Sequence, residues 1–363
     1  MKLLINRDKF IKALSELSSI IKDNSIRPVI SGAKLDAFDN KLKFTGTTLE
    51  LNYITQMEAE VSQEGSVAFK IPLVLEYVKL LDEDVIEISV DENKLTIQRA
   101  EFSILNVDDF PVVDRLETEK LFTLSGEKLV DAFEMVRFSA FPTLDNLAIN
   151  AIRVSCEQEQ IQFISTDSYR LTHYVEEVNC NLNKEISIPL ESVSVICKLL
   201  KGEPVDAIAG IQNGVFTLQW NDTYISTRLI EMPFPEYRAI FSNMTHTKTI
   251  ELNTQDFKKS IKKVMTVAKR NQETKNGSYM DFSGNKLTMT VSSGSAKTVQ
   301  KVDTIKEGDD FKASLNIKFV YDFIDKIDKN VIMKATNSSS MFILEEFENK
   351  NYRYILMPLA LRD

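Results

Sequence analysis

Four side chains that could move protons or hold an anion, Asp167, Tyr169, Arg170 and His173, fall within one short stretch. In an extended strand alternate side chains face opposite ways, so Leu171, His173 and Val175 share one face while Thr172 and Tyr174 take the other. That pattern reads His173 as a packing residue rather than a proton shuttle. Gly294-Ser295-Ala296-Lys297-Thr298 has the outline of a phosphate loop but carries Ala296 where the motif requires glycine before the lysine. No GxGxxG, HExxH or GxSxG occurs. Cys156, Cys180 and Cys197 are odd in number and show no CxxC spacing, and the only other soft ligands are His173 and His246. A disulfide framework and a zinc cluster are both disfavoured, and a reducing compartment is expected. The usual proton shuttles and metal ligands are thus scarce, so the expectation is a non-catalytic chain with no metal and no cofactor, although carboxylates alone could still build a hydrolase or metalloenzyme. One series remains with chemistry to offer: Lys258, Lys259, Lys262 and Lys263, followed by Lys269 and Arg270. Mobile ammonium groups of this kind hold phosphates without reading bases.

The elements that position these lysines recur along the chain. Asn6, Ser125 and Asn253 each follow a short apolar strand and precede an amphipathic helix anchored by Phe10, Leu129 and Phe257. Such side chains accept hydrogen bonds from the first unpaired helical amides. Phe69-Lys70-Ile71-Pro72-Leu73, Ser187-Ile188-Pro189-Leu190 and Ala313-Ser314-Leu315-Asn316-Ile317 open a second helix in each repeat, with Asn316 in the place of proline. Asp109-Phe110-Pro111, Pro233-Phe234-Pro235 and Leu356-Met357-Pro358 close each repeat. Three markers therefore agree on a period near 120 residues. The predicted helices are 6–22, 71–82, 125–139, 190–203, 254–270 and 316–329. Between them, segments such as Lys41-Leu42-Lys43-Phe44-Thr45 and Gln160-Ile161-Gln162-Phe163-Ile164 alternate with period two, as half-buried strands do. The expected fold is α+β, three repeated domains at 1–118, 119–244 and 245–363, each with two helices on antiparallel sheets.

Length and composition allow this. The chain has 363 residues, 43% hydrophobic and 27% charged, enough for two or three packed domains. No apolar run approaches the roughly 20 residues of a membrane span, and the first eight residues already carry charge, unlike a signal peptide. A cytoplasmic protein is expected, with no membrane partner. The net charge of −9 argues against nucleic acid only if charge is evenly spread. It is not: the candidate helices carry more Lys and Arg than Asp and Glu, so the strands and loops hold the acid. On 254–270, Phe257, Ile261, Val264 and Ala268 form one apolar stripe and the lysines occupy the other faces. On 6–22, Phe10, Leu14, Leu17 and Ile21 face inward, with Arg7, Lys9, Lys12 and Lys22 elsewhere. Packed helices lie about 8–10 Å apart, so six close a circle only about 18 Å across between axes, whereas twelve close one roughly 35 Å across. An open hole therefore requires two chains. A repeat scaffold without DNA would share the architecture but leaves these lysines unexplained.

The residues resemble a known family. Met1-Lys2-Leu3-Leu4-Ile5-Asn6-Arg7-Asp8-Lys9-Phe10, Arg27-Pro28-Val29-Ile30-Ser31-Gly32, Asp109-Phe110-Pro111, Thr166-Asp167-Ser168-Tyr169-Arg170-Leu171, Phe234-Pro235-Glu236-Tyr237-Arg238 and Tyr354-Ile355-Leu356-Met357-Pro358-Leu359 are similar, in order and over the full length, to the beta subunit of bacterial DNA polymerase III. The resemblance implies the sliding-clamp fold, each chain forming half of a closed homodimeric ring around double-stranded DNA. It implies partners that dock short linear peptides: the replicative DNA polymerase, the clamp loader and repair proteins. The implied DNA-facing residues are Arg7, Lys12, Lys198, Lys201, Lys258, Lys259, Lys262 and Lys263. The implied peptide pocket comprises Ile149, Thr166, Ser168, Arg170, Leu171, Pro235, Ile240, Phe319, Ile355, Leu356, Met357 and Pro358. The implied dimer interface involves Phe102 and Ile104 on an edge strand with Lys269 and Arg270. Ser168 and Tyr169 stand where the family usually has Gly-His, and Leu359-Ala360-Leu361-Arg362-Asp363 extends the usual tail. The first departure is expected to narrow or reshape one pocket wall, and the two together to alter peptide preference.

Overall fold

The computed structural model describes residues 1–360 except 92, 243, 272, 273 and 275; Leu361, Arg362 and Asp363 of the expected longer tail lie outside the described residues. Seven α-helices are described: α1 (Arg7–Ile20), α2 (Ile71–Lys79), α3 (Gly126–Val136), α4 (Leu190–Leu200), α5 (Tyr237–Ser242), α6 (Thr254–Ala268) and α7 (Ile317–Ile324). Six are those expected, each ending earlier than the apolar spacing suggested. The short α5 was not expected. Its sequence, Tyr237-Arg238-Ala239-Ile240-Phe241-Ser242, is too brief to show a helical period.

The caps explain where the helices begin. Asn6 accepts from the Lys9 amide at 3.0 Å, Ser125 from Lys128 at 3.3 Å, and Asn253 from Asp256 at 3.1 Å. Asn316 accepts from both Lys318 and Phe319, doing by side chain what Pro72 does in α2 by lacking an N–H. Pro189 is instead the last residue of the strand Lys184–Pro189. On α6, Phe257, Ile261, Val264 and Ala268 are fully buried, as the stripe requires. On α1, Phe10, Leu14 and Leu17 are buried, but Ile20 takes the inner place expected of Ile21, which becomes the half-buried C-cap.

Among the described residues the strands form three antiparallel sheets, two of which cross the repeat boundaries. A five-stranded sheet lies wholly in the first repeat and ends at the strand Ala100–Ser103. An eight-stranded sheet takes four strands from the first repeat and four from the second, joined where Leu51–Glu58 pairs with Thr223–Arg228. A twelve-stranded sheet joins the rest of the second repeat to the third, where Arg170–Glu177 pairs with Asn349–Leu356. The chain accordingly falls into two compact units. The first contains 1–130, 178–184 and 191–230, and the second contains 131–177, 185–190 and 231–363. The middle repeat contributes to both.

Each unit carries helices from more than one repeat. In the first, Lys12 of α1 pairs with Glu203 just beyond α4 at 2.7 Å, and Lys22 pairs with Glu191 at the start of α4. Two ion pairs at opposite ends set α1 and α4 side by side, while α2 packs on α1. In the second, α7 packs on α6, and Lys326 beyond α7 pairs with Glu134 of α3 at 3.6 Å.

Candidate peptide groove and nucleic-acid face

The groove begins with a tight turn. Thr166 ends one strand and Arg170 begins the next, and Ser168 between them adopts φ 75°. Few non-glycine residues accept a left-handed backbone, so other contacts must hold it. They are present. The Ser168 amide donates to Thr166 Oγ1 at 3.1 Å, and Asp167 Oδ1 accepts from the amides of Tyr169 (3.0 Å) and Arg170 (3.1 Å). Thr166 Oγ1 donates to the Arg170 carbonyl at 2.6 Å. Thr166 is therefore a turn former.

Arg170 fixes the turn to its surroundings. Its side chain is 8% exposed; Nε donates to Asp167 at 2.9 Å and Nη1 to Asp322 of α7 at 2.7 Å. Nη2 donates to the Phe138 carbonyl at 2.6 Å, and the guanidinium lies 3.9 Å from the centre of the Phe319 ring. Desolvation lowers the guanidinium pKa, but Tyr354, Asp322 and Asp167 outweigh it, so the group stays charged. Each of its three nitrogens thus donates within the protein, which ties the turn to α7 and to the backbone beyond α3.

Pairing across the sheet brings distant residues together. Leu171 stands opposite Ile355 and Arg170 opposite Leu356, and the Met357 amide donates to the Tyr169 carbonyl at 2.9 Å. Leu171 and Ile355 join Ile164 and Tyr237 in one small apolar cluster, with Phe234, Ile240, Phe241, Met244 and Met341 half-buried against it. Of the expected pocket, then, Leu171, Ile240 and Ile355 meet here. Leu356 and Phe319 belong to the larger core of the third repeat, Ile149 is buried, Pro235 and Met357 are exposed, and Pro358 is half-buried. Tyr237, Phe241 and Met341 were missed. Tyr237, Ile240 and Phe241 do lie on one face at helical spacing, a signal only a recognised α5 makes legible.

The acid–base reading fails here. Asp167 is consumed by Arg170 and the turn amides, and Tyr169 is 65% exposed at the tip. His173 is held at a pKa of about 4 by burial, helped by Arg353 and Arg238, and packs 5.0 Å from the Phe241 ring. Among the described residues no cluster of His, Cys, Asp and Glu could hold a metal ion, and no helix is long and apolar enough to cross a membrane.

The basic residues differ in availability. Arg7 donates to the Leu81 carbonyl and contacts Asp8 at 3.1 Å, with only 22% of its side chain exposed. Lys12 is paired with Glu203, and Lys258 donates to the Ile327 carbonyl at 3.0 Å. Lys259 lies 3.8 Å from Asp256, and Lys262 stands 5.6 Å over the Tyr321 ring. Lys198, Lys201 and Lys263 are exposed and make no ion pair among the described residues. At the expected interface, Phe102 lies on the edge strand but is 8% exposed and packs edge-on against Tyr77. Ile104 is half-buried, and Lys269 and Arg270 are exposed at the end of α6.

Family models cover nearly the whole chain. Residues 1–114 match the DNA polymerase III beta subunit N-terminal domain, 123–236 its central domain and 243–360 its C-terminal domain. The beta sliding clamp of Streptomyces coelicolor is 24% identical over 382 residues, covering 99% of this chain and 100% of its own length. That of Escherichia coli is 21% identical over 370 residues with the same coverage. Among solved structures, the DNA polymerase III subunit beta of Pseudomonas aeruginosa aligns with a TM-score of 0.94 at 18% identity, over 99% of this chain and 100% of that one. The sliding clamp of Bacillus subtilis aligns at 0.93 and 17%, covering all of both chains. With all three domain models matched in order, this chain belongs to the DNA polymerase III beta-subunit family.

Proposed function

We propose that the chain acts as a DNA sliding clamp, a non-catalytic ring of two copies that encircles duplex DNA and tethers the replicative polymerase. The observation that carries this reading is the row of helices in each compact unit: α2, α1 and α4 in one, α6, α7 and α3 in the other. Three helices per unit and two units per chain give six, so two copies supply the twelve that an open hole roughly 35 Å across needs. Lys198, Lys201, Lys259, Lys262 and Lys263 are the cations left to meet phosphates. Arg7, Lys12 and Lys258 contribute charge to the same face while anchored to the protein. Contacts made by mobile lysines weaken with salt and carry no sequence information, which suits sliding.

The reading places domain boundaries near 118 and 244 and closes the ring by head-to-tail contact. The strand Ala100–Ser103, unpaired on its outer side among the described strands, with Ile104 beyond it, would meet the region of Lys269 and Arg270 in the second copy. The replicative polymerase, clamp loader and repair proteins would insert short peptides into the groove formed by Leu171, Ile240, Ile355 and Met357, working in the cytoplasm. An aliphatic groove beside a strand edge suits an extended peptide with one or two apolar anchors.

Loading onto nicked circular DNA tests the whole. The protein should remain on the circle through gel filtration and be lost once the circle is cut; equal retention on both forms refutes encirclement. Lys259→Glu, Lys262→Glu and Lys263→Glu together should shorten the residence time while sedimentation still shows a dimer.

A further inference from the structure

The turn that builds the groove in the second unit has a counterpart in the first. Thr47, Leu49 and Glu50 repeat Thr166, Ser168 and Tyr169. Leu49 adopts φ 73° against 75° for Ser168, and its amide donates to Thr47 Oγ1 at 2.9 Å. The Thr48 amide donates to the Leu51 carbonyl at 2.9 Å, as Asp167 donates to Arg170 at 3.3 Å. The Arg228 amide donates to the Glu50 carbonyl at 3.1 Å, as Met357 donates to Tyr169 at 2.9 Å. Asn52 stands opposite Ser226 and Leu51 opposite Thr227, matching Leu171 opposite Ile355 and Arg170 opposite Leu356. Phe110-Pro111 leads in beside it as Phe234-Pro235 does in the second unit. The backbone is thus the same, and an open cleft of ≈ 290 Å³ lies there, bounded by Leu49, Val112, Leu116, Asn52, Ser226 and Arg228.

Only the chemistry has changed. Where the second unit has Leu171, Ile355 and Met357, the first has Asn52, Ser226 and Arg228. Asn52 donates to Ser226 at 3.1 Å and accepts from Thr47 at 2.6 Å. The Ser226 hydroxyl, having accepted from Asn52, has its own proton to give, and Arg228 is exposed with no ion pair among the described residues. The floor therefore donates where its counterpart is apolar. The rim keeps apolar groups: Leu49 and Leu116 are each 41% exposed and Val112 is 89% exposed. Glu50 and Asp114 also border the mouth and oppose a run of acids.

We infer that this cleft is a second peptide-binding site, taking an extended segment that sets one carboxylate on Arg228 and Ser226 and an apolar side chain against Leu49, Val112 and Leu116. A guanidinium–carboxylate contact gives such a site its selectivity, and the small cleft admits only a few residues. The inference rests on reading the groove of the second unit as a peptide site.

The test uses the intact dimer with methyl-labelled Leu, Val, Ile and Met, titrated with the peptide Gly-Ala-Leu-Ala-Leu carrying a free C-terminal carboxylate, and with its C-terminal amide. Saturable shifts at Leu49, Val112 and Leu116 are expected with the carboxylate, weakened about tenfold or more by amidation and by Arg228→Ala, and partly restored by Arg228→Lys. Arg228 is exposed, so folding of these variants is checked by unchanged shifts elsewhere. Absence of saturable shifts at those residues, or affinity indifferent to Arg228→Ala, overturns the inference. Shifts confined to Leu171, Ile240, Ile355 and Met357 overturn it while upholding the groove of the second unit. Loss of a polymerase-derived peptide from that groove would be a separate failure, of the reading on which this one builds.

Discussion

Replacing Arg170 by methionine isolates the group that ties the groove to its scaffold. Methionine keeps the apolar stem but removes the guanidinium that stacks on Phe319 and faces two carboxylates. Asp167 is 10% and Asp322 16% exposed at their side chains, so neither regains full hydration when its partner leaves. Breaking a buried pair in this way costs about 3–5 kcal/mol. The lower end applies, because Asp322 keeps Lys318 at 2.8 Å and Asp167 keeps the amides of Tyr169 and residue 170. A loss of about 3 kcal/mol corresponds to roughly 6–12 °C in melting temperature for a unit of this size. Urea unfolding followed by circular dichroism measures it, and peptide binding measured in parallel should weaken because the turn loses its anchor. Adding Asp167→Asn to Arg170→Met should recover part of the stability, since it removes the stranded charge. A loss below about 1 kcal/mol, or a double variant no better than the single, would refute the view that Arg170 acts by pairing.

Further outcomes follow from single features. His173 has a folded pKa of about 4 against an ordinary 6.5, so the unfolded chain takes up its proton first. Its contribution is complete above about pH 6.5 and is lost as pH falls toward 4, by roughly 3 kcal/mol at most; His173→Gln should flatten the stability–pH curve between those values. Ile240→Glu places a charge on the half-buried edge of the groove and should reduce binding of polymerase-derived peptides at least tenfold, with little change in melting temperature. Ile104→Asp should shift the sedimentation equilibrium toward monomer while leaving the five-stranded sheet folded. Asn253→Ala removes the cap of α6 and should cost about 1 kcal/mol, read by denaturant unfolding.

Much of the α+β pattern was legible because it is local. Asn6, Ser125, Asn253 and Asn316 announce helix starts by chemistry that acts within three residues, and the stripe Phe257, Ile261, Val264, Ala268 needs only the helical period to be read. Short α5 escaped for the same reason in reverse: six residues do not complete two turns. The groove was legible in part. Leu171 and Ile355 stand out as strand residues, but nothing in either segment says that they pair across the sheet.

The sequence by itself determined three repeats, their paired helices and the buried stripe of α6, because periodicity and capping are properties of neighbouring residues. Tertiary structure alone decided that strands of the middle repeat join one sheet with the first repeat and another with the third. Backbone hydrogen bonds between strands are made by groups common to every residue, so partners far apart in sequence leave no local signature. It also decided which cations stay available. Lys12 and Lys263 look alike in sequence, yet a glutamate far along the chain engages one, and solvent surrounds the other.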